Sequence, residues 1–139
     1  VCVAGRIMPE AGTWRDTLRK IPDKPLAEVV DDDHPEGRPA ILHYRVLGRA
    51  AWGTWLEIRL ETGRTHQIRI QTASRGHPVL GDELYGSTAA FGTQFDDARY
   101  RAIALHSRRL AFRHPMTRQP VEVVAPLPIA WVSLGFDVG

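Results

Sequence analysis

The sequence predicts an α+β chain, a mixed but mostly antiparallel sheet with few helices, on three observations. Residues 40–48 ("AILHYRVLG") and 54–61 ("TWLEIRLE") alternate apolar and polar side chains with period two, as half-buried antiparallel strands do. A helical pattern with start and stop signals occurs only around residues 65–76. The remaining apolar runs are short and are bounded by Pro- and Gly-containing turns. Composition is compatible with such a core: 139 residues, 43% hydrophobic and 24% charged, as in ordinary globular domains. A chain of this size buries roughly two-thirds of the surface it exposes when unfolded. Disorder, collagen and a disulfide-stapled miniprotein do not fit, and no apolar run approaches the ~20 residues that span a bilayer.

Taken in order, Val1–Ile7 reads as a strand closed by Pro9 and Gly12. Residues 13–25 are polar and broken by Pro22 and Pro25, so they hold at most one helical turn. Ala27–Val30 is a brief strand, and "DDDHPEGRP" after it is a loop. Its adjacent carboxylates Asp31, Asp32 and Asp33 read as a solvated edge, since neighbours in such a loop do not converge on one metal. In the next two strands Leu42, Tyr44 and Val46, then Leu56, Ile58 and Leu60, form apolar faces, with "GRAAWG" as a hairpin connection. Thr65 caps the predicted helix, Gly76 ends it and Pro78 lies just beyond; His66, Arg69 and Ala73 share one face, Ile68 and Thr72 another. "VLGDELYGS" is a Gly-bounded turn and residues 89–101 a surface insertion. Residues 102–113 and 120–125 are strands joined by "HPMTRQP". The tail "PLPIAWVSLGF" packs a short helix with Trp131 and Leu134 inward.

Charge adds a bias but decides nothing by itself. Of 18 Lys and Arg residues only Lys20 and Lys24 are lysines, and the formal net charge is +2. Arginine's planar fork suits phosphates and base edges; a GC-rich codon supply would give the same bias. The lone Cys2 cannot form an internal disulfide, which fits a reducing, cytoplasmic setting.

Chemistry concentrates in residues 60–86, "LETGRTHQIRIQTASRGHPVLGDELYG". A strand runs into Thr62-Gly63, where glycine permits a turn, and Arg64 follows beside the predicted helix start, whose free N–H groups favour anions. His66 and Gln67 supply further donors and Arg69 lies one turn along. This corner suits a phosphate-rich partner or a catalytic carboxylate that needs a cation; the same arginines can also simply pair with acids such as Glu61. His66, His77, His106 and His114 lack zinc-ligand spacing and a cysteine partner, so no metal is expected. Phosphate-loop and nucleophile-elbow patterns are absent from the sequence.

The same stretch closely resembles a central motif of the RluA-type RNA pseudouridine synthases: Thr-Gly-Arg-x-His-Gln-Ile/Leu-Arg, then Gly-His-Pro, then Gly-Asp-x-x-Tyr-Gly. "ALHSRRLAFRHPMTRQPVEVVAPLP" is similar to the family's Leu-His strand, His-Pro turn and closing Ala-Pro-Leu-Pro. "VCVAGRI" with "GTWRDTLRK" looks like the segment after its active-site tyrosine. The resemblance covers nearly the whole chain, read as residues 1–139 of the C-terminal portion of one catalytic domain.

It implies isomerisation of uridine to pseudouridine in structured ribosomal or transfer RNA, by a monomer with no cofactor and no metal. The target base must leave its stack. An aspartate then acts on the ribose, at C1′ as nucleophile or at C2′ by proton abstraction, and uracil turns over and rejoins through C5. The resemblance assigns Arg69 to that aspartate as partner, Arg64, His66 and Gln67 to RNA, and Ile68 and Tyr85 to pocket or turn support. Four departures matter, one being that the family's active-site tyrosine would fall immediately before Val1 and is not in this sequence. The family's aspartate belongs to a His-Arg-Leu-Asp block, and no aspartate of this chain has that context, so the chain alone is expected to be inactive. Alternatively it is an RNA-binding relative that does not react, or an inactive fragment. Gln71 stands where many members carry histidine, a change expected to tune RNA contact. Arg118 stands where a glycine often closes the His-Pro turn.

Overall fold

A computed structural model of the chain describes residues 1–135. These divide into two compact units, Val1–Ala104 and a second that begins at Leu105.

In the first unit β1 (Cys2–Val3), β2 (Ala11–Lys20), β3 (Ala27–Val30), β4 (Arg38–Ala50) and β5 (Gly53–Leu60) form one antiparallel sheet, ordered β1-β5-β4-β2-β3. The predicted fold class therefore holds. Strands β4 and β5 turn through Ala51–Trp52, with Ala50 opposite Gly53. Ala40, Leu42 and Tyr44 of β4 and Leu56 of β5 bury the inner face, while Leu60 at the strand end is exposed. The outer face is polar, carrying the Arg45–Glu57 (2.9 Å) and His43–Glu61 (2.5 Å) pairs.

Three sequence expectations change here. Residues 13–25 hold more than a helical turn: Thr13–Lys20 belong to the ten-residue β2, which starts at Ala11 and is registered along β4 from Ala11↔Arg45 to Leu18↔Arg38. Its inward positions are Gly12, Trp14, Asp16 and Leu18, so the apolar alternation that marks a strand is missing. Gly12 is needed because a Cβ there would lie 2.9 Å from the Tyr44 ring. The first strand is shorter than Val1–Ile7, because Gly5 takes φ +75° after Val3 and turns the chain. Ile7 is nonetheless buried, its N–H donating to Thr54 Oγ1 (3.1 Å). Of residues 102–113 only Arg109–Arg113 is a strand; Ala104 instead exchanges backbone bonds with Cys2 and Leu80 beside β1.

The helix α1 (Gln67–Ala73) is shorter than predicted, and its N-cap is His66 rather than Thr65. His66 sits at φ +53° and ψ 24° with no capping side-chain bond. Residues Val79–Ser87 form the Gly-bounded turn, with a 3₁₀ turn at Glu83–Tyr85 and Gly81 and Gly86 at positive φ. Segment 89–101 is largely exposed, although Phe91 is buried.

The second unit is a hairpin, β6 (Arg109–Arg113) with β7 (Pro120–Val124), paired from Arg109↔Val124 to Arg113↔Pro120. A 3₁₀ segment follows at Ile129–Leu134, with Trp131 buried and Leu134 half-buried. Phe136, the end of the predicted tail segment, lies outside the described residues. Among the described residues no helix is long and apolar enough to cross a membrane.

Candidate functional site

The corner between β5 and α1 is built mainly from polar side chains that hold backbone. Thr62 Oγ1 accepts from Ile41 N–H (2.8 Å), tying the turn to β4. Gln67 completes the tie: Oε1 accepts from Arg64 N–H (3.0 Å) and from the Thr62 hydroxyl (2.8 Å), and Nε2 donates to Ile41 O (3.1 Å). Gln67 is only 3% exposed. Its amide is committed to the turn, whereas the sequence alone suggests a donor facing RNA.

One turn along, Arg69 faces the turn Val79–Ser87. Its Nε and Nη2 donate to the two carboxylate oxygens of Asp82 at 2.7 and 2.8 Å. Such a fork is among the strongest protein hydrogen-bonding arrangements. Asp82 is 1% exposed and the Arg69 side chain 18%. The bond to Asp82 holds the Arg69 guanidinium above its ordinary pKa, against the cost of burial. The guanidinium carbon lies 4.9 Å from the centroid of the Tyr85 ring, a cation–π contact. Among the described residues Nη1 has no hydrogen-bond partner, so the guanidinium keeps one open edge.

Tyr85 joins the elements. Its hydroxyl accepts from Ala27 N–H of β3 (2.9 Å) and lies 2.9 Å from His66 Nδ1. Burial, and after it the nearby Arg69 charge, lowers the His66 pKa and so favours the neutral ring, with Asp82 acting in the opposite sense. The pair is one hydrogen bond whose direction depends on the tautomer of His66. Thus Arg69, His66 and Tyr85 come together around Asp82. Arg64 lies apart and exposed, its Nε donating to Pro39 O (2.9 Å), and Ile68 is half-buried. Asp82 is the member of this group that sequence reasoning missed, since there it reads only as a turn residue. The available signal is its spacing of three from Tyr85 inside the Gly81–Gly86 turn.

Gln71 is another correction. It is 0% exposed, with Nε2 donating to Asp16 Oδ2 (2.6 Å) and Ala40 O (3.3 Å), so it contacts the sheet rather than RNA. Arg75 also grips Asp16, at 2.9 and 3.2 Å, and lies over Trp14 (4.7 Å to the centroid). Burial pushes the Cys2 thiol up to about 12, which removes it as a nucleophile.

Comparison with known proteins bears on the same residues. The family model for RNA pseudouridylate synthase matches residues 2–74, from β1 into the turn that follows α1. The chain belongs to the RNA pseudouridylate synthase family. It is 41% identical over 140 residues to the ribosomal large subunit pseudouridine synthase D of Haemophilus ducreyi, covering 95% of this chain and 42% of that protein. Against the protein of that name from Xylella fastidiosa it is 39% identical over 123 residues, 84% of this chain and 36% of that one. An uncharacterized RNA pseudouridine synthase of Bacillus subtilis, YjbO, is 38% identical over 126 residues, 91% and 41%. The chain thus spans less than half the length of these relatives. Among solved structures, human RNA pseudouridylate synthase domain containing 1 superposes with a TM-score of 0.70 at 24% identity, over 91% of this chain and 52% of that one. Human domain containing 4 gives 0.68 at 21%, over 94% and 57%. These two likenesses bear on the synthase fold alone.

Proposed function

We propose that this chain supplies the arginine half of a pseudouridine synthase active site acting on ribosomal large-subunit RNA, with the reacting aspartate brought by polypeptide outside the chain. The observation that carries this reading is the state of Arg69, clamped on one edge by Asp82, stacked on Tyr85 and open at Nη1. An aspartate in a dry pocket tends to take up a proton, because desolvation disfavours its charge. A fixed guanidinium opposes that and orients the carboxylate toward the ribose. Asp82 itself is not the reacting group: it is buried and both its oxygens hold Arg69.

In this reading the extruded uridine lies beside Arg69, its glycosidic bond breaks, and the freed uracil turns over and bonds through C5. Arg64 and His66 meet RNA phosphates or flanking nucleotides. Gln67 and Ile68 support the corner, and no cofactor takes part. A second reading has one observation in its favour. Asp82 already balances the Arg69 charge, so the site is also stable as a non-reacting RNA-binding surface.

Pseudouridine formation by the protein carrying this chain separates the two, and Arg69→Lys in that protein tests the role given to Arg69. Lysine keeps a charge but cannot hold two carboxylates in a fork. Turnover on a large-subunit RNA fragment is expected to drop about a hundredfold, roughly the loss when one charge-stabilising donor is removed. RNA affinity should stay within about twofold, since no phosphate contact is removed. Near-normal turnover would remove Arg69 from the reaction.

A further inference from the structure

A shallow cavity of about 210 Å³ opens between the end of β2, the start of β3 and the loop before α1. Leu18 and Ala27, both buried, form its floor, and Lys20, Arg38 and Arg64 stand at its rim. The other cation there, Arg19, is already neutralised, by Glu28 at 2.6 Å and by the cavity's one acid, Glu36, at 3.1 Å. Among the described residues Lys20, Arg38 and Arg64 have no carboxylate partner. The two guanidiniums are nevertheless anchored: Arg38 Nη1 donates to Gly37 O (2.8 Å) and Arg64 Nε to Pro39 O (2.9 Å). Each keeps further N–H groups free for a ligand.

Three uncompensated cations around one cavity select an anion. The cavity is also joined to the site already described, because the N–H of its floor residue Ala27 anchors the Tyr85 hydroxyl (2.9 Å). We propose that the cavity binds a backbone phosphodiester of the RNA strand beside the target nucleotide, held by Lys20, Arg38 and Arg64. This rests on the synthase reading and assigns Lys20 and Arg38 a role in holding substrate.

The test uses the protein carrying this chain at its full natural length. The probe is a single-stranded oligouridylate labelled at its 3′ end and ending in a 5′ hydroxyl, so that only bridging phosphates are offered. Lys20→Ala combined with Arg38→Ala should weaken binding about tenfold near 0.1 M salt. It should also lower the slope of log affinity against log salt by about 0.7 for each phosphate no longer neutralised. Arg99→Ala removes one exposed charge from segment 89–101, away from the cavity, and should leave both unchanged. The proposal is overturned if the double variant binds like the parent, if Arg99→Ala weakens binding as much, or if the parent does not bind the probe. Failure of the synthase reading is seen separately, as absence of pseudouridine on a ribosomal RNA fragment whatever the affinities.

Discussion

Arg69 and Asp82 form a pair whose value depends on both partners being present. Taking one charge away strands the other in a buried site, at a cost of about 3 kcal/mol or more. Asp82→Asn is therefore expected to lower stability by about 3 kcal/mol in urea unfolding. In the protein carrying this chain it should also cut turnover at least tenfold, because Arg69 loses its clamp. Unchanged turnover in a folded Asp82→Asn protein would remove the clamp from the mechanism. His66 gives a second prediction, in pH. Its pKa is lowered in the folded state, first by desolvation and then by Arg69, relative to about 6.5 in an unfolded chain. The unfolded chain then takes the proton first, so this contribution to stability is full above about pH 6.5 and is lost as pH falls through the folded value. An NMR titration should give His66 a midpoint below about 6.5; a midpoint at or above it would contradict the desolvated setting of the ring beside Arg69.

At the scale of elements, backbone conformation makes sharper demands than composition suggests. Gly53 has φ +146°, and a Cβ there would come within 2.0 Å of the Val3 carbonyl oxygen. Gly53→Ala must push β1 off β5 and is expected to cost roughly 2 kcal/mol or more, read as a drop in the urea midpoint. Arg118 is the opposite case: it holds φ +60°, where a glycine is at ease. Arg118→Gly should raise the stability of the β6–β7 hairpin by about 0.5 kcal/mol, measured by hydrogen exchange.

The same scale shows what is legible in the sequence. Strands β4 and β5 can be read because Leu42, Tyr44 and Leu56 alternate with charged residues. Strand β2 cannot, because its inward positions include a glycine that admits Tyr44 and an aspartate that grips Arg75. The buried positions of α1 are Gln67, Gln71 and Thr72, polar residues of which Gln67 and Gln71 reach distant partners on the sheet, so apolar periodicity gives no sign of which face lies inside. Arg69, His66 and Tyr85 are legible as a group only through the family motif. Their meeting on Asp82 depends on a turn 13 residues further on.

At the scale of the whole molecule, the proposed function makes this chain half of a reaction centre. The chain holds a positioned guanidinium, a histidine biased towards its neutral form and a cationic cavity, and no aspartate in the His-Arg-Leu-Asp context. The relatives it matches are more than twice its length, the chain covering 42% of the Haemophilus ducreyi protein. The most direct measurement mixes this chain with a separately produced N-terminal part of such a protein carrying the aspartate, on ribosomal RNA labelled with tritium at uridine C5. Bond formation at C5 releases the tritium to water. Release is expected from the mixture and none from either part alone. A folded, RNA-binding mixture that releases no tritium would contradict the synthase reading and leave a non-reacting RNA-binding surface in its place.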